Sequence, residues 1–270
     1  MKFICPKCSL PLAALEDGCA KCSRGHTFDR SKEGYYNLLL SNAPRHGDNR
    51  EMVLARRNFL DTGAYLPLAK RVGELATEYF SKSEDVLDVG CGEGYYTDIL
   101  ERATRAAERD LKVFGFDISK DAVRLAAKRN PELSLAVASA YKMPFADASF
   151  GGVLNLFSPL ALSEIERVLK PGGYFIMVIP GVEHLFGLKA AIYPTPYKNE
   201  VQDSALEGLT LVRSEKISYE LSLVGKEQIS SLFMMTPYAY RTRREDCERI
   251  LSLDKLTNEV EFILFVYKKD

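Results

Sequence analysis

From Asp85 onward, short apolar runs alternate with stretches of helical spacing. Val86 to Val89 precedes a helix-like Thr97 to Ala107, and Val113 to Phe116 precedes Asp121 to Lys128. Leu133 to Ala138, Val153 to Phe157, a helix-like Leu162 to Leu169, and Tyr174 to Ile179 follow, the last after a turn at Pro171-Gly172-Gly173. Strands alternating with helices predict a doubly wound, mostly parallel α/β sheet with right-handed crossovers. Beyond it, a strand-like Leu209 to Leu223, helix-like Glu227 to Met235 and Arg243 to Leu251, and a β-rich Val260 to Tyr267 predict an added antiparallel edge. Ahead of the sheet, Met52, Ala55 and Phe59, then Leu68, Val72 and Leu75, fall at helical spacing after a polar linker from Ser41 to Arg50. Residues 1 to 35 differ: they carry little periodicity and much turn chemistry, with Pro6, Pro11, Gly18 and Gly25. Such a segment cannot fold on its own apolar burial. The division is therefore a small module at 1–35, a helical connector at 36–82 and an α/β domain at 83–270, with no internal repeat.

Composition narrows the class without naming a function. At 46% hydrophobic and 27% charged over 270 residues, the chain reads as a globular protein of one large domain and an appendage. No apolar run approaches the roughly 18 to 20 residues of a membrane span, and no signal peptide opens the chain, so a cytoplasmic location is expected. The net charge of −1 exerts no strong pull on polyanions. Residues 1 to 57, however, hold ten Lys/Arg against six Asp/Glu, which implies a basic N-terminal face.

Four of the six cysteines, Cys5, Cys8, Cys19 and Cys22, crowd into the first 22 residues. In a reducing compartment, two C-x-x-C pairs at this spacing read as a metal site rather than a disulfide framework. Bound zinc would supply the folding free energy the module lacks. Spacing leaves two ligand sets open: Cys5, Cys8 and Cys22 with His26, or all four cysteines. Either closes a tetrahedral structural site with no position left for water.

The run V-L-D-V-G-C-G-E-G-Y-Y, Val86 to Tyr96, sets Gly90, Gly92 and Gly94 directly between a strand and a helix. Residues without a Cβ let the backbone turn tightly and approach a ligand. With Asp88 two residues before the first glycine, the spacing differs from the dinucleotide fingerprint and lacks the Lys-Ser/Thr of a P-loop. Asp117 ends the next strand, 23 residues beyond Gly94, where a carboxylate can accept from both ribose hydroxyls or, more plainly, cap a helix. Ser139-Ala140 and Asn155-Leu156-Phe157-Ser158-Pro159 end the following strands and face the same crevice.

This ordered set, completed by L-K-P-G-G before the fifth strand, resembles the class I, Rossmann-like methyltransferases over residues 83 to 180. The whole chain resembles one group within them, the bacterial 23S rRNA guanine-N1 methyltransferases with an N-terminal zinc module. The wider strings are C-P-x-C near the start, D-x-x-K-E-G-Y-x-N-L-L at Asp29 to Leu39 and A-R-R-x-F-L-D-x-G-x-Y-x-P-L at Ala55 to Leu68. K-x-P-F-x-D-x-S at Lys142 to Ser149, P-G-x-x-H-L-x-x-L-K at Pro180 to Lys189 and M-T-P-x-A-x-R at Met235 to Arg241 complete them. The resemblance implies zinc on Cys5, Cys8, Cys22 and His26, leaving Cys19 outside. It also implies an S-adenosylmethionine-binding site made of Tyr65, Asp88, Gly90, Gly92, Glu93, Gly94 and His184, with Asp117 on the ribose.

The implied reaction sets further expectations. Guanine N1 is protonated at neutral pH and lies on the pairing edge, so the base must be unpaired or extruded and its proton must leave. Asn155, Glu93 and His184 are candidate acceptors, and spacing selects none of them. A 23S rRNA stem-loop would be read by Lys7, Lys21, Arg24, Arg30, Lys32, Arg45, Arg56 and Arg57, with Tyr35 or Tyr36 stacking on unpaired bases. A homodimer would suit an elongated RNA. The competing expectations are methylation of a small molecule by the same core and an RNA-binding assembly factor without activity.

Overall fold

The computed structural model describes residues 1–40, 47–81, 83–109, 111–201 and 204–270, so Arg45 and most of the expected linker lie outside the described residues. Strands β1 (Leu12–Ala14), β2 (Ala20–Cys22) and β3 (Thr27–Phe28) form a small antiparallel sheet in that order. The next strand, β4 (Tyr36–Asn37), leaves that module and pairs in parallel with a strand of the main sheet. Helices α1 (Arg50–Asp61) and α2 (Leu66–Tyr79) follow. Asn49 caps α1 by accepting from Met52 N at 2.9 Å, which fixes where the helix starts.

The α/β unit then runs β5 (Val86–Val89), α3 (Tyr95–Ala106), β6 (Val113–Asp117), α4 (Lys120–Arg129), β7 (Ser134–Val137), β8 (Phe150–Leu156), α5 (Leu162–Val168) and β9 (Leu169–Pro180). It ends with α6 (Phe186–Ile192), β10 (Leu209–Val224), α7 (Lys226–Met234), a 3-10 turn at Pro237–Tyr240, α8 (Arg244–Leu251) and β11 (Lys255–Lys269). The eight-stranded sheet has the order β10-β11-β9-β8-β5-β6-β7-β4. Pairing is parallel from β9 to β4, and β11 lies antiparallel between β9 and β10, which is the expected antiparallel edge. The expected turn at Pro171-Gly172-Gly173 falls inside β9: Gly172 takes φ 74° and the pairing with β8 shifts register between Phe150 and Gly152, so the chain bulges and continues.

Period-two alternation divides the sheet between two cores. Val86, Val113, Leu154, Ile176 and Leu264 pack with α1 to α4 and α6 to α8, while Leu87, Phe114, Val153, Phe175 and Phe265 pack with α5 and the N-terminal module. The β7 to β8 connection contains no helix, and the module takes the position a crossover helix would fill. Phe3 lies against Phe114, Phe145 and Tyr36 with ring centroids 5.2 to 6.1 Å apart, and Ile4 N donates to Pro144 O at 2.8 Å. Among the described residues, no helix is long and apolar enough to cross a membrane.

Candidate cofactor crevice and metal centre

Chain order along the sheet reverses between β5 and β8, because β6 and β7 extend to one side and β9 to the other. Open α/β sheets bind ligands in the crevice beyond the strand ends at such a reversal. The glycine loop occupies that point. Gly90, Gly92 and Gly94 have φ of 75°, 56° and 85°, the left-handed region that disfavours side chains. A Cβ on Gly90 would lie 2.4 Å from Ser158 Cβ and one on Gly94 2.8 Å from Ala126 Cβ, whereas one on Gly92 meets nothing within 4 Å. The outer glycines therefore allow the loop to pack, and the middle one faces open space.

Asp117 holds the loop from β6. Its carboxylate accepts from Gly92 N at 3.0 Å and Ser119 N at 2.8 Å, and burial pushes it above the usual carboxylate range against the pull of those two N–H groups. The helix-cap role belongs instead to Ser119, which accepts from Ala122 N at the start of α4. Asp88 lies buried beneath the loop, accepts from Thr97 Oγ1 at 2.6 Å, and is pushed up to about 7 by burial, with the nearby Asp117 charge acting in the same direction. Glu93 is buried and paired with Arg129 Nη2 at 2.6 Å; burial still raises its carboxyl, and its Oε1 has no partner among the described residues.

Tyr65 and His184, 119 positions apart, meet with Oη and Nε2 3.4 Å apart. His184 Nδ1 accepts from Glu261 N at 3.3 Å, and burial, aided by the Lys189 charge, lowers the imidazole to about 4. The neutral ring therefore carries its proton on Nε2 and donates it to Tyr65, leaving the tyrosine O–H free to donate onward. Phe59 and Phe262 grip the Tyr65 ring edge-on, each at 5.0 Å. Phe262 also meets Phe157, which contacts Tyr96 at the start of α3, so an aromatic wall joins this pair to the glycine loop.

An open cradle at Gly92, a buried unpartnered oxygen on Glu93 and a hydrogen-bonded carboxylate at the end of β6 fit a ligand with a cationic or hydroxyl-bearing end and a ribose. Sequence reasoning missed Arg129, the partner that opposes the effect of burial on Glu93, and the placement of Phe157. That residue takes φ 58° and is 42% exposed at the end of β8, on the lip of the crevice. A phenylalanine gives no sequence signal for left-handed backbone.

The second centre lies in the N-terminal module. Ligand atoms of Cys5, Cys8, Cys22 and His26 lie within 4.8 Å of one another. Cys8 and Cys22 sulfurs are 3.7 Å apart, and His26 Nδ1 is 3.4 and 3.5 Å from the sulfurs of Cys5 and Cys22. Tetrahedral zinc with bonds of roughly 2.3 Å to sulfur and 2.0 Å to nitrogen sets edges of about 3.8 and 3.5 Å, so the donors fit the ion. Cys19 instead directs its thiol to Asp29 Oδ1 at 3.5 Å, outside the cluster.

Several expected RNA contacts are corrected. Tyr35 and Tyr36 are buried, and Tyr36 donates its hydroxyl to Gly18 O, so neither ring is free to stack on a base. Arg56 pairs with Asp48 and donates to Met235 O, and Arg57 pairs with Asp61, so both tie elements together. Lys7, Lys21, Arg24, Arg30 and Lys32 are exposed on the module.

Comparison with known proteins agrees with both centres. A methyltransferase-domain family model matches residues 87–177, and a zinc-ribbon model described as "RlmA, N-terminal" matches residues 3–43. A 23S rRNA (guanine(748)-N(1))-methyltransferase of Streptomyces fradiae is 37% identical over 191 residues, covering 70% of this chain and 66% of its own. Candidate 23S rRNA (guanine-N(1)-)-methyltransferases of Micromonospora griseorubida and Bacillus subtilis are each 32% identical. They cover 88% and 90% of this chain and 86% and 88% of their own.

Proposed function

The chain belongs to the 23S rRNA (guanine-N1) methyltransferase family, and on that premise we propose that it transfers a methyl group from S-adenosylmethionine to N1 of a guanine in a 23S rRNA stem-loop. One observation carries the reading: a single sheet bears the glycine-and-acid crevice at its switch point and a closed three-sulfur, one-imidazole cluster on its flank. A small-molecule methyltransferase has no use for the second, and a silent binding factor has no use for the first.

When bound, S-adenosylmethionine supplies a methyl group on positively charged sulfur, and the protein contributes alignment and exclusion of water. Asp117 would hold the ribose hydroxyls with the lone pairs left free by Gly92 and Ser119. The Gly92-Glu93 turn would receive the methionine end, and Tyr65, primed by His184, would donate to its carboxylate. Asp88 supports the loop from below through Thr97.

None of the three candidate bases offers a basic atom free for guanine, since the one unpartnered oxygen, Glu93 Oε1, is the acceptor that would take the ammonium of the methionine end. His184 has Nδ1 occupied and a proton on Nε2, and Glu93 is bound to Arg129. Asn155 spends its amide hydrogens on Ser158 Oγ and Pro159 O, which leaves only Oδ1 to accept the guanine N1–H and orient it. The N1 proton therefore passes to water. Residues 1–35 act as the zinc module, 36–82 as connector and 83–270 as catalytic domain, in the cytoplasm; a two-fold dimer would present two crevices to one RNA.

The test is nucleoside mass spectrometry on unmodified 23S rRNA incubated with the protein and labelled S-adenosylmethionine. N1-methylguanine at one site is the expected product, lost in Asp117→Ala. Methyl groups on another atom, or none while the cofactor binds, would overturn the reading.

A further inference from the structure

The M-T-P-x-A-x-R string at Met235 to Arg241 has no role in the cofactor site or the zinc site, yet the fold brings it to the crevice rim. Tyr240 donates its hydroxyl to Asn49 Oδ1 at 3.3 Å. The neighbouring Asp48 carbonyl accepts from Ser119 Oγ at 2.8 Å, and Ser119 N is one of the two groups holding Asp117. Three short contacts therefore connect Tyr240 to the acid assigned to the ribose.

Cations follow that tyrosine and its partner Asn49 along the chain. Arg50, Arg241 and Arg243 are all exposed, and none forms an ion pair with a described residue. Arg56, by contrast, is consumed in fastening Asp48 to Met235 O, so it builds the rim while the other guanidiniums remain available. Exposed aromatics are interleaved with them: Tyr240 is 47% and Tyr197 52% exposed. The buried Lys189 ammonium, 4.6 Å from the Tyr197 ring centre and 5.9 Å from that of Tyr238, fixes this aromatic cluster from beneath. Free guanidiniums beside open tyrosine rings match a single-stranded nucleic acid, whose phosphates take the charge and whose unstacked bases take the rings.

We propose that Arg50, Arg241 and Arg243, with Tyr240 and Tyr197, form a second RNA-binding surface that grips unpaired nucleotides of the substrate at the crevice rim. This rests on the reading of the chain as an rRNA methyltransferase. The surface runs along the crevice mouth from Tyr197, after the helix that follows β9, to Tyr240 and Arg50, which meet the end of β6 through Asn49, Asp48 and Ser119. Nucleotides held along this rim lie beside the glycine loop, which brings the target base to the methyl group. The zinc module alone would anchor one flank and leave the base free to swing.

The test measures binding of unmodified 23S rRNA transcript against salt concentration. Replacing both arginines, Arg241→Gln with Arg243→Gln, should weaken binding about tenfold and lower the slope of log K against log salt by about 1.4, near 0.7 for each lost phosphate contact. Tyr240→Leu should cost about 5- to 100-fold, and Tyr240→Phe, which keeps the ring, should restore most of it. Cofactor affinity by calorimetry should be unchanged in all of these, and the charge-matched control Lys70→Gln with Lys255→Gln should leave the slope intact. Wild-type affinity and slope in the arginine variant, or equal losses in Tyr240→Phe and Tyr240→Leu, would overturn this surface while leaving the methyltransferase reading standing. Failure of the unaltered protein to bind or methylate rRNA would overturn both.

Discussion

Gly92 and Gly94 share left-handed backbone angles two residues apart but face opposite surroundings, so the same substitution separates packing from binding. At Gly94, alanine would bring its Cβ within 2.9 Å of Ala126 Cα, a helix backbone that cannot step aside. Strain and overpacking together should cost about 2 to 4 kcal/mol. At Gly92 the methyl enters open space, so only the backbone penalty of about 1 kcal/mol remains, while the cofactor would lose its close approach. Urea denaturation with calorimetry should find Gly94→Ala unstable and Gly92→Ala nearly stable but unable to bind; equal stability losses would refute the assignment of the two faces. Asp88 gives a second test at this scale. Its folded pKa, about 7, lies above the ordinary value of 3.8, so the folded state holds the proton more tightly. Stability from this group therefore falls as pH rises above about 4 and levels off above 7, by up to about 1.4 kcal/mol per pH unit. His184, lowered to about 4, acts in the opposite sense: stability is lost as pH falls below 6.5 toward 4. Asp88→Asn removes the first effect and keeps the second, so it should gain on the wild type steadily from pH 5 to 7. Parallel stability curves over that range would rule the effect out.

Elements were legible where one local signal decided them. The strand ends bearing Asp88 and Asp117 followed from apolar run length, and the loop between them from three glycines. Contacts made by folding were not legible: nothing near Tyr65 indicates His184, and nothing near Glu93 indicates Arg129. The two-residue strand β4 is too short to leave a period, so Tyr35 and Tyr36 read as free aromatics although sheet pairing buries Tyr36 and the helical core buries Tyr35. The zinc ligands are intermediate. Spacing limited them to two sets, and only the direction of the Cys19 thiol toward Asp29 separates these. That direction has a measurable consequence. Cys19→Ser should retain one zinc per chain after dialysis, whereas Cys22→Ser and His26→Ala should lose it, since three donors cannot close a tetrahedral structural site. Elemental analysis showing zinc loss in Cys19→Ser would reverse the ligand assignment.

At the scale of the whole molecule, the module and the sheet share one core, and this changes what zinc does. Phe3, Leu12, Tyr36 and Leu38 are each at most 7% exposed and pack in one cluster with Phe114, Phe145 and Ala136. The module covers a sheet face that has no helix between β7 and β8, and the strand that follows it, β4, closes the sheet edge against β7. Removing zinc should therefore not melt a separate lobe. It should release Phe3 and expose the Phe114 and Phe145 face, with each uncovered aromatic worth about 1.5 to 3 kcal/mol. A total loss of about 3 to 5 kcal/mol corresponds to a fall of roughly 6 to 20 °C in the midpoint of a chain this size. Calorimetry after chelation should thus show one cooperative transition at lower temperature, with cofactor binding weakened in parallel because β6, which carries Asp117, lies next to β7. Two transitions, with the larger unmoved by chelation, would mean that the shared core contributes little and that the module is an independent unit. A single shifted transition accompanied by weaker cofactor binding would mean that zinc acts on the methyl-transfer site through the sheet itself.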